Sequence, residues 1–268
     1  MAIFNVLSIA GVDPSGGAGL IADLKVFSAL GVYGCGVVTA LTAQNTRMVA
    51  GIKAVHEDLL QLQLSTLFDD VHIDVVKIGM LADSASVRVV ASALDAYRPR
   101  YVVLDPVMVA KSGDRLLETE AVDTLRELLV PRSSIVTPNL PEVSELLRRQ
   151  VSDDPEGMLK AAEDLVDLGA ESVLVKGGHG RSAMLTDVLF DGFGCTQFVS
   201  ERILTRNTHG TGCTLSSAIA ALLPQRENLV SAVSDAHRYV SDAIRAADEL
   251  SVGGGHGPLH HFFAAWRQ

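Results

Sequence analysis

The sequence predicts an α/β fold with a mostly parallel central sheet, helices on both faces and an antiparallel hairpin at one edge. Short apolar runs typical of buried strands alternate along the chain with segments whose apolar residues recur at helical spacing. Late in the chain, two strands at about 183–190 and 196–204 flank the turn Asp191-Gly192-Phe193-Gly194, which is the pattern of a hairpin. Strands that alternate with helices pair in parallel, because each helix returns the chain to the same end of the sheet.

The first half of the chain begins with IFNVLSIAG (3–11), an apolar run typical of a buried strand. GAGLIADLKVFSALG (17–31) has apolar residues at helical spacing and ends in glycine, so it predicts a helix. The elements that follow are a strand at 36–43, a helix at 56–68, a strand at 73–79 and a helix at 84–96. YVVLDPVM at 101–108 predicts a further strand and the start of its connection to the next helix.

The second half continues the alternation and ends in helices. Its predicted elements are a helix near 119–129, a strand at 134–139, helices at 141–149 and near 156–168, a strand at 172–178, the hairpin, helices at 211–223 and 229–249, and a short helical piece after Pro258. The pattern has no repeat or linker, and its one glycine cluster, SVGGGHG (251–257), lies near the end. We therefore expect residues 1–268 to form a single domain.

Composition limits the class of protein. The chain has 268 residues, of which 48% are hydrophobic and 20% charged, so a large core is available. The net charge of −10 disfavours nucleic-acid and anionic-membrane partners, although a local positive site can still bind a small anion. The three cysteines, Cys35, Cys195 and Cys213, lack disulfide or zinc spacing, which favours reduced thiols and a cytoplasmic location. We expect neither a signal peptide nor a membrane span.

Polar and small residues follow several predicted strands, at the edge where parallel sheets bind ligands. They are Gly11 and Asp13, Gln44, Gly79 and Met80, Asp105 and Val107, Asn139 and Glu142, and Lys176 to His179.

Gly210, Thr211, Gly212 and Cys213 stand at the start of a predicted helix. Main-chain N–H groups there lack partners, and glycine lets an anion approach them closely. The tetrapeptide therefore suits a phosphoryl group, or else it is an ordinary capped helix with a small buried cysteine. The positive end of the helix predicts a lowered pKa for the Cys213 thiol.

Four further residues carry charge or amide groups suited to nucleotide chemistry. Asp105 ends an apolar strand and suits a Mg²⁺ site, or it is a cap or turn residue. Asn139 and Glu142 suit contacts with Mg²⁺ and phosphate, usually through water, or they form a plain helix start. Lys176 is placed to neutralise ATP phosphates, or it is a solvated lysine before a turn.

The first glycine-rich loop, GVDPSGGAG, matches neither a Walker A loop nor the G-x-G-x-x-G spacing, so it suits a small substrate or a tight turn. Gln44 offers a donor and an acceptor side by side, which match an aminopyrimidine edge. Asp23, on the following helix, is either satisfied in the core or faces substrate. The histidines show no metal spacing, so His56, His72, His179, His209 and His237 are interpreted as surface or core residues.

Several motifs together closely resemble the bacterial hydroxymethylpyrimidine/phosphomethylpyrimidine kinases of thiamine biosynthesis, in the ribokinase-like superfamily. They are SIAGVDPSGGAGLIADLKVFSALGVYGCGVVTALTAQNT, KIGML, VVLDPVM, AKSGD, TPNLPE, VLVKGGH and NTHGTGCTLSSAIAA. The likeness reaches GPLHHF near the end. It implies a three-layer α/β/α fold and two successive phosphorylations by Mg-ATP, first of hydroxymethylpyrimidine and then of its monophosphate. It also makes a homodimer plausible.

The resemblance also implies a role for each site residue. Gly210, Thr211, Gly212 and Cys213 match the anion hole, and Asn139 with Glu142 matches the element that positions Mg²⁺ and phosphates. Asp105 and Lys176 match nucleotide-side positions, and Glu142 and Asp105 are the expected metal contacts, through water. Gly11, Asp23, Gln44, Met80 and Val107 match the pyrimidine pocket.

Sugar kinases of the superfamily carry Asp, their base, where Cys213 stands. We therefore expect Cys213 to act as a base in the first phosphorylation and only as a contact in the second. Three other functions stay open. A pyridoxal or pyridoxine kinase acts on a ring that also bears a hydroxymethyl group, and a non-catalytic ligand sensor can use the same fold. An NAD-dependent dehydrogenase is disfavoured by the glycine spacing and the missing ribose-binding acid.

Overall fold

The computed structural model describes residues 3–110, 113–178 and 183–266. Within these residues, nine strands form one sheet in the order β3-β2-β1-β4-β5-β6-β7-β8-β9. The strands are β1 (Asn5–Val12), β2 (Tyr33–Gln44), β3 (Val49–Ala54), β4 (Val75–Ile78), β5 (Tyr101–Leu104), β6 (Ile135–Val136), β7 (Val173–Val175), β8 (Met184–Phe190) and β9 (Cys195–Glu201). The six strands from β2 to β7 in this order are parallel, and β3, β8 and β9 pair antiparallel.

Helices follow most of the parallel strands. They are α1 (Gly19–Ala29), α2 (Glu57–Phe68), α3 (Ser84–Tyr97), α4 (Thr119–Leu128), α5 (Leu140–Leu147), α6 (Pro155–Asp167), α7 (Thr211–Leu222) and α8 (Leu229–Arg245). Short 3₁₀ turns lie at Val130–Arg132, Leu223–Gln225 and Ala247–Glu249.

The two faces of the sheet are covered by different helices. Alternate strand residues face opposite sides, so Leu7 and Ile9 of β1 pack in a core with α2 to α6, whereas Val6 packs in a second core with α1, α7 and α8. Nearly the whole of α7 is buried, which explains its small and apolar sequence. The predicted three-layer α/β/α fold with a mainly parallel sheet is confirmed.

Apart from shifted element boundaries, the described residues depart from the predicted order of elements in two places. β3 was not predicted, and it pairs antiparallel with β2, so both edges of the sheet are antiparallel rather than one. Most of its side chains are exposed, and therefore it lacks the apolar signal of a buried strand. The piece after Pro258 forms turns rather than a helix. Lys111 and Ser112 of the AKSGD motif, and His179 of VLVKGGH, lie outside the described residues.

No helix in the described ranges combines the length and apolarity that a membrane crossing requires.

Candidate active site

A cleft of about 1160 Å³ opens beyond the carboxyl ends of the parallel strands. All of the residues to which the resemblance assigned a role, except Asp23, line it, and the lining also includes Asp13, Lys77, His209 and His237. The parallel topology explains this convergence, because the chain leaves each parallel strand at the same edge of the sheet. Residues far apart in the sequence therefore share one cavity of a size typical of ligand pockets.

The N-terminus of α7 forms one wall of the cleft. Gly210 precedes the helix with a φ of 81°, and a Cβ there would lie 1.8 Å from the carbonyl oxygen of Gly17, so this position requires glycine. The amide of Thr211 donates to the carbonyl of Thr208 at 3.4 Å. Among the described residues, the amides of Gly212 and Cys213 have no acceptor. These two N–H groups and the helix dipole make an anion-binding wall.

Lys176 and Asp105 form an ion pair directly against this wall. The Lys176 Nζ lies 3.1 Å from the Asp105 Oδ1, and a Cβ on Gly212 would lie 3.3 Å from the same Nζ. The Ser216 hydroxyl donates to the Asp105 Oδ2 at 3.0 Å. Only 13% of the Lys176 side chain is exposed, so the alternative of a solvated lysine before a turn is wrong.

Both members of this pair are charged. Burial raises the pKa of Asp105, but the charges of Lys176 and Lys77 outweigh it, so the pKa lies below its usual value. Burial lowers the pKa of Lys176, but the charges of Asp105 and Glu142 outweigh it, so the pKa is raised. The cleft thus holds a fixed ammonium group next to the free amides of α7.

Asn139 and Glu142 form a capping box at the start of α5. The Asn139 Oδ1 accepts from the Glu142 amide at 2.9 Å, and the Glu142 Oε2 accepts from the Asn139 amide at 2.8 Å. The helix-start interpretation is therefore correct, and both residues also line the cleft. Burial raises the pKa of Glu142 to about 7, the nearby Lys176 opposes the shift, and the Asp105 carboxylate adds to it.

The donor set fits a magnesium ion carried on substrate phosphates. No group of three or more His, Cys, Asp or Glu side chains in the described residues converges on a metal position. Mg²⁺ does not need such a cage, since it keeps several waters and uses one or two carboxylates together with phosphate oxygens. Asp105 and Glu142 are two of the carboxylates that line the cleft close to Lys176.

The expected low pKa of Cys213 is wrong. Burial raises the pKa of its thiol to about 11, and the charge of Lys77 and a hydrogen bond from the Gly19 amide only partly offset this effect. The expectation considered the helix N-terminus alone and omitted desolvation, which dominates in this cleft. The thiol is therefore neutral at pH 7.

Asp23 does not line the cleft. It is completely buried, and its two oxygens accept from the Lys77 Nζ at 3.0 and 2.9 Å. The Ser8 and Ser217 hydroxyls complete its hydrogen bonds at 2.6 and 2.7 Å. The structure therefore shows the first of the two alternatives for Asp23: the hydrogen bonds of its carboxylate are satisfied within the core. Sequence reasoning missed Lys77, although a lysine within the apolar run IDVVKIG was a usable signal.

Four of the residues expected for the pyrimidine pocket, Gly11, Gln44, Met80 and Val107, line the cleft at or just beyond the ends of β1, β2, β4 and β5. Gln44 ends β2, is partly exposed, and its Oε1 accepts from the Thr42 hydroxyl at 3.3 Å. A Cβ on Gly11 would lie 2.8 Å from the Met80 sulfur, so glycine allows Met80 to pack closely against β1. Gln44 thus presents its amide to the same cavity as the α7 wall.

Two histidines reach the cleft, although histidines were interpreted only as surface or core residues. The His209 Nε2 lies 2.7 Å from the Asp13 Oδ2, and both residues are buried, so this pair joins the first glycine loop to the α7 loop. His237 lies 3.4 Å from Asp187 through its Nε2. His56 and His72 are exposed, as expected.

Comparisons with known proteins show the family of the chain. The family model described as phosphomethylpyrimidine kinase matches residues 13–260. The chain belongs to this family. It is 51% identical over 262 residues to a hydroxymethylpyrimidine/phosphomethylpyrimidine kinase of Escherichia coli, with 98% of each chain covered.

Solved structures show the same fold. The pyridoxal kinase of Staphylococcus aureus in complex with ADP superposes with a TM-score of 0.91 at 30% identity, covering 99% of this chain and 96% of that one. A phosphomethylpyrimidine kinase of Clostridium difficile superposes with a TM-score of 0.80 at 37% identity, covering 90% of this chain and 99% of that one. The ribokinase-like fold expected from the motifs is thereby confirmed.

Proposed function

We propose that this protein transfers the terminal phosphoryl group of ATP to hydroxymethylpyrimidine, and then a second phosphoryl group to the resulting monophosphate. The observation that carries the proposal is the meeting of the α7 N-terminus with the Lys176–Asp105 pair, in the cleft that also contains Gln44. The 51% identity to a kinase of that name supports the substrate assignment.

The phosphoryl side of the cleft offers positive potential without a Walker A loop. The free amides of Gly212 and Cys213 and the ammonium group of Lys176 stabilise negative charge on the transferred group. Asp105 fixes that ammonium group through its 3.1 Å contact. Magnesium, held by Asp105 and Glu142 through water, would supply further charge neutralisation on the phosphates.

The pyrimidine side offers hydrogen bonding and shape. The Gln44 amide can donate to a ring nitrogen and accept from an exocyclic amino group, in the way that amide side chains pair with adenine. Met80 and Val107 supply apolar contacts for the ring. In this arrangement the hydroxymethyl oxygen faces the α7 wall, where the phosphoryl group is held.

The two steps make different demands on Cys213. In the first, the hydroxymethyl oxygen forms a bond to the γ-phosphorus, the bond to the ADP oxygen breaks, and the hydroxyl proton must leave. In the second, the attacking phosphate oxygen is already ionised, so no base is required. A thiol with a pKa of about 11 is neutral at pH 7 and does not accept a proton, so Cys213 acts as a base only where bound positive charge lowers that pKa enough to form the thiolate. Positioning and charge neutralisation supply most of the catalysis.

Pyridoxal phosphorylation is the second candidate function. It is favoured by the backbone match to the Staphylococcus aureus pyridoxal kinase, whose TM-score is 0.91. The sequence identity of 30% to that kinase is well below the 51% to the Escherichia coli hydroxymethylpyrimidine/phosphomethylpyrimidine kinase, which is why the pyrimidine is preferred.

An assay of ATP consumption with hydroxymethylpyrimidine, its monophosphate and pyridoxal side by side tests the proposal. We expect kcat/KM to be highest for the two pyrimidines and to require Mg²⁺. Lys176→Met should abolish turnover, whereas Lys160→Met, at an exposed lysine of α6, should not. A higher kcat/KM for pyridoxal would replace the first candidate with the second. Pyrimidine binding without ATP turnover would indicate a ligand sensor.

We further propose that the chain works as a single domain, as a homodimer and in the cytoplasm. The exposed side chains of Leu41, Met48 and Ile52 at the β2–β3 edge supply apolar area for a second copy. Light scattering during gel filtration would give the mass of the assembly, and a monomer at micromolar concentration would contradict the dimer.

A further inference from the structure

The glycine cluster near the end of the sequence contacts the tip of the β2–β3 hairpin. We call residues 253–258 the C-terminal strap. The His256 amide donates to the Thr46 carbonyl at 2.8 Å, and the Gly255 amide donates to the Thr46 hydroxyl at 3.1 Å. Thr46 is two residues beyond Gln44, at the end of the strand that presents Gln44 to the cleft.

The contact is too close for side chains on the strap. A Cβ on Gly255 would lie 2.1 Å from the main-chain oxygen of Thr46, and one on Gly253 would lie 2.3 Å from the Thr46 Oγ1. The three atoms nearest to a Cβ on Gly254 all belong to the guanidinium of Arg47, the closest at 2.4 Å, and this group is at the end of a flexible side chain. The lack of space for a side chain thus explains the three consecutive glycines, and it is most severe at Gly255.

The other end of the strap contacts the loop that carries the phosphoryl wall. The His209 amide donates to the Gly257 carbonyl at 3.0 Å, and His209 pairs with Pro258 in an isolated parallel β-bridge. A Cβ on Gly257 would lie 2.0 Å from the Asn207 Oδ1. The Asn207 Nδ2 in turn donates a hydrogen bond to the Ala247 carbonyl at 3.2 Å.

We propose that the C-terminal strap is a positioning element that fixes the hairpin tip, and with it Gln44, relative to the anion wall of α7. One short segment bonds on one side to Thr46 and on the other to His209, which immediately precedes Gly210. The separation of the pyrimidine contact from the phosphoryl contact therefore depends on the strap. The inference rests on the proposed function, because it assigns the strap to the binding of the pyrimidine.

Gly255→Ala tests the proposal in the full-length enzyme. The methyl group must displace main-chain atoms of Thr46, so we expect KM for hydroxymethylpyrimidine to rise about tenfold while KM for ATP stays within about twofold. Gly51→Ala, on the same hairpin with no atom within 4 Å of the new Cβ, should behave as the parent. Gly254→Ala should have a smaller effect than Gly255→Ala, since Arg47 can move.

Hydrogen exchange provides a readout that needs no substrate. In Gly255→Ala, the amides of Arg47 and Met48, which donate to the Asn45 side chain at 2.8 and 3.2 Å, should exchange faster than in Gly51→Ala. If Gly255→Ala does not fold, Thr46→Ala removes the Gly255 hydrogen bond without adding bulk. It should raise the pyrimidine KM about two- to fivefold.

Three outcomes would overturn the proposal: a folded Gly255→Ala variant with a parental pyrimidine KM, an equal rise in the KM of ATP, or unchanged exchange at residues 47–48. Failure of the proposed function is distinguishable from these. If the parent does not phosphorylate the pyrimidine, yet Gly255→Ala accelerates exchange at the hairpin tip, the substrate assignment is wrong and the link between strap and hairpin stands.

Discussion

Asp23 on α1 and Lys77 on β4 form an ion pair whose side chains are both completely buried, with the Lys77 Nζ 2.9 Å from the Asp23 Oδ2. The pair lies close to Cys213, whose thiol pKa responds to both charges. Ser217 of α7 donates to Asp23 at 2.7 Å. The pair therefore ties α7, which carries the anion wall, to α1 and the sheet.

Removing one charge of this pair should strongly destabilise the folded protein. Lys77→Met leaves Asp23 buried without its cation, and we expect a loss of about 3–5 kcal/mol in the free energy of unfolding. The double variant Lys77→Met/Asp23→Leu should recover much of it, because no lone buried charge remains. Urea denaturation measures both, with Lys160→Met as the exposed control. Equal stability of the single and double variants would contradict the account.

Gln44→Ala tests the pyrimidine contact. A site built for hydrogen bonds discriminates strongly against their loss, so we expect KM for hydroxymethylpyrimidine to rise more than about tenfold. The KM for ATP should not change. Gln61→Ala, at an exposed position of α2, is the matched control. An unchanged KM for the pyrimidine would remove Gln44 from the pocket.

Gly212→Ala tests the space between α7 and Lys176. The added methyl group would lie 3.3 Å from the Lys176 Nζ, so we expect the fold to persist and kcat to fall about tenfold or more. Thermal unfolding should show a melting temperature equal to or above that of the parent, since alanine favours the helix. A fully active variant would show that the phosphoryl group does not occupy the space between Gly212 and the Lys176 Nζ.

Cys213→Ser separates the two phosphorylations. If the thiol takes the hydroxyl proton, the first step should slow more than the second, which needs no base. Single-turnover measurements with hydroxymethylpyrimidine and its monophosphate give the two rates, and Cys195→Ser, at an exposed cysteine, is the control. An equal loss in both steps would leave Cys213 only a contact role.

The Asp13–His209 pair gives a pH dependence with a defined sign. Burial opposes ionisation of Asp13, but hydrogen bonds from His209 and Ser15 outweigh it and lower the pKa of its carboxyl. A lowered pKa in the folded state stabilises the protein above the unfolded pKa of about 3.8, and this stabilisation disappears as the pH falls below it.

Asp13→Asn should therefore destabilise the protein by about 1–3 kcal/mol at pH 7. The difference from the parent should shrink below about pH 4. Urea denaturation at pH 7, 5 and 3.5 measures it. A difference that stays constant over this range would mean that the charge of Asp13 contributes nothing.

The sequence by itself determined the alternation of strands and helices, because apolar spacing follows the local geometry of each element. It also determined the residues that converge at the carboxyl edge of the sheet, since a parallel topology brings the residues after each strand together. Asn139 and Lys176 were found this way, whereas Gly210 was found from its place at a predicted helix start. The helix start at Asn139 was local as well, because the two partners of its capping box are only three positions apart.

Only the tertiary structure decided the features that depend on distant partners or on burial. Lys77 meets Asp23 across 54 positions of the chain, and His209 meets Asp13 across 196, so no local pattern encodes either pair. The pKa of Cys213 depends on how much water the assembled cleft excludes, which helix position cannot give. β3 is held by pairing with β2 rather than by burial of its own side chains, and for that reason it left no apolar signal.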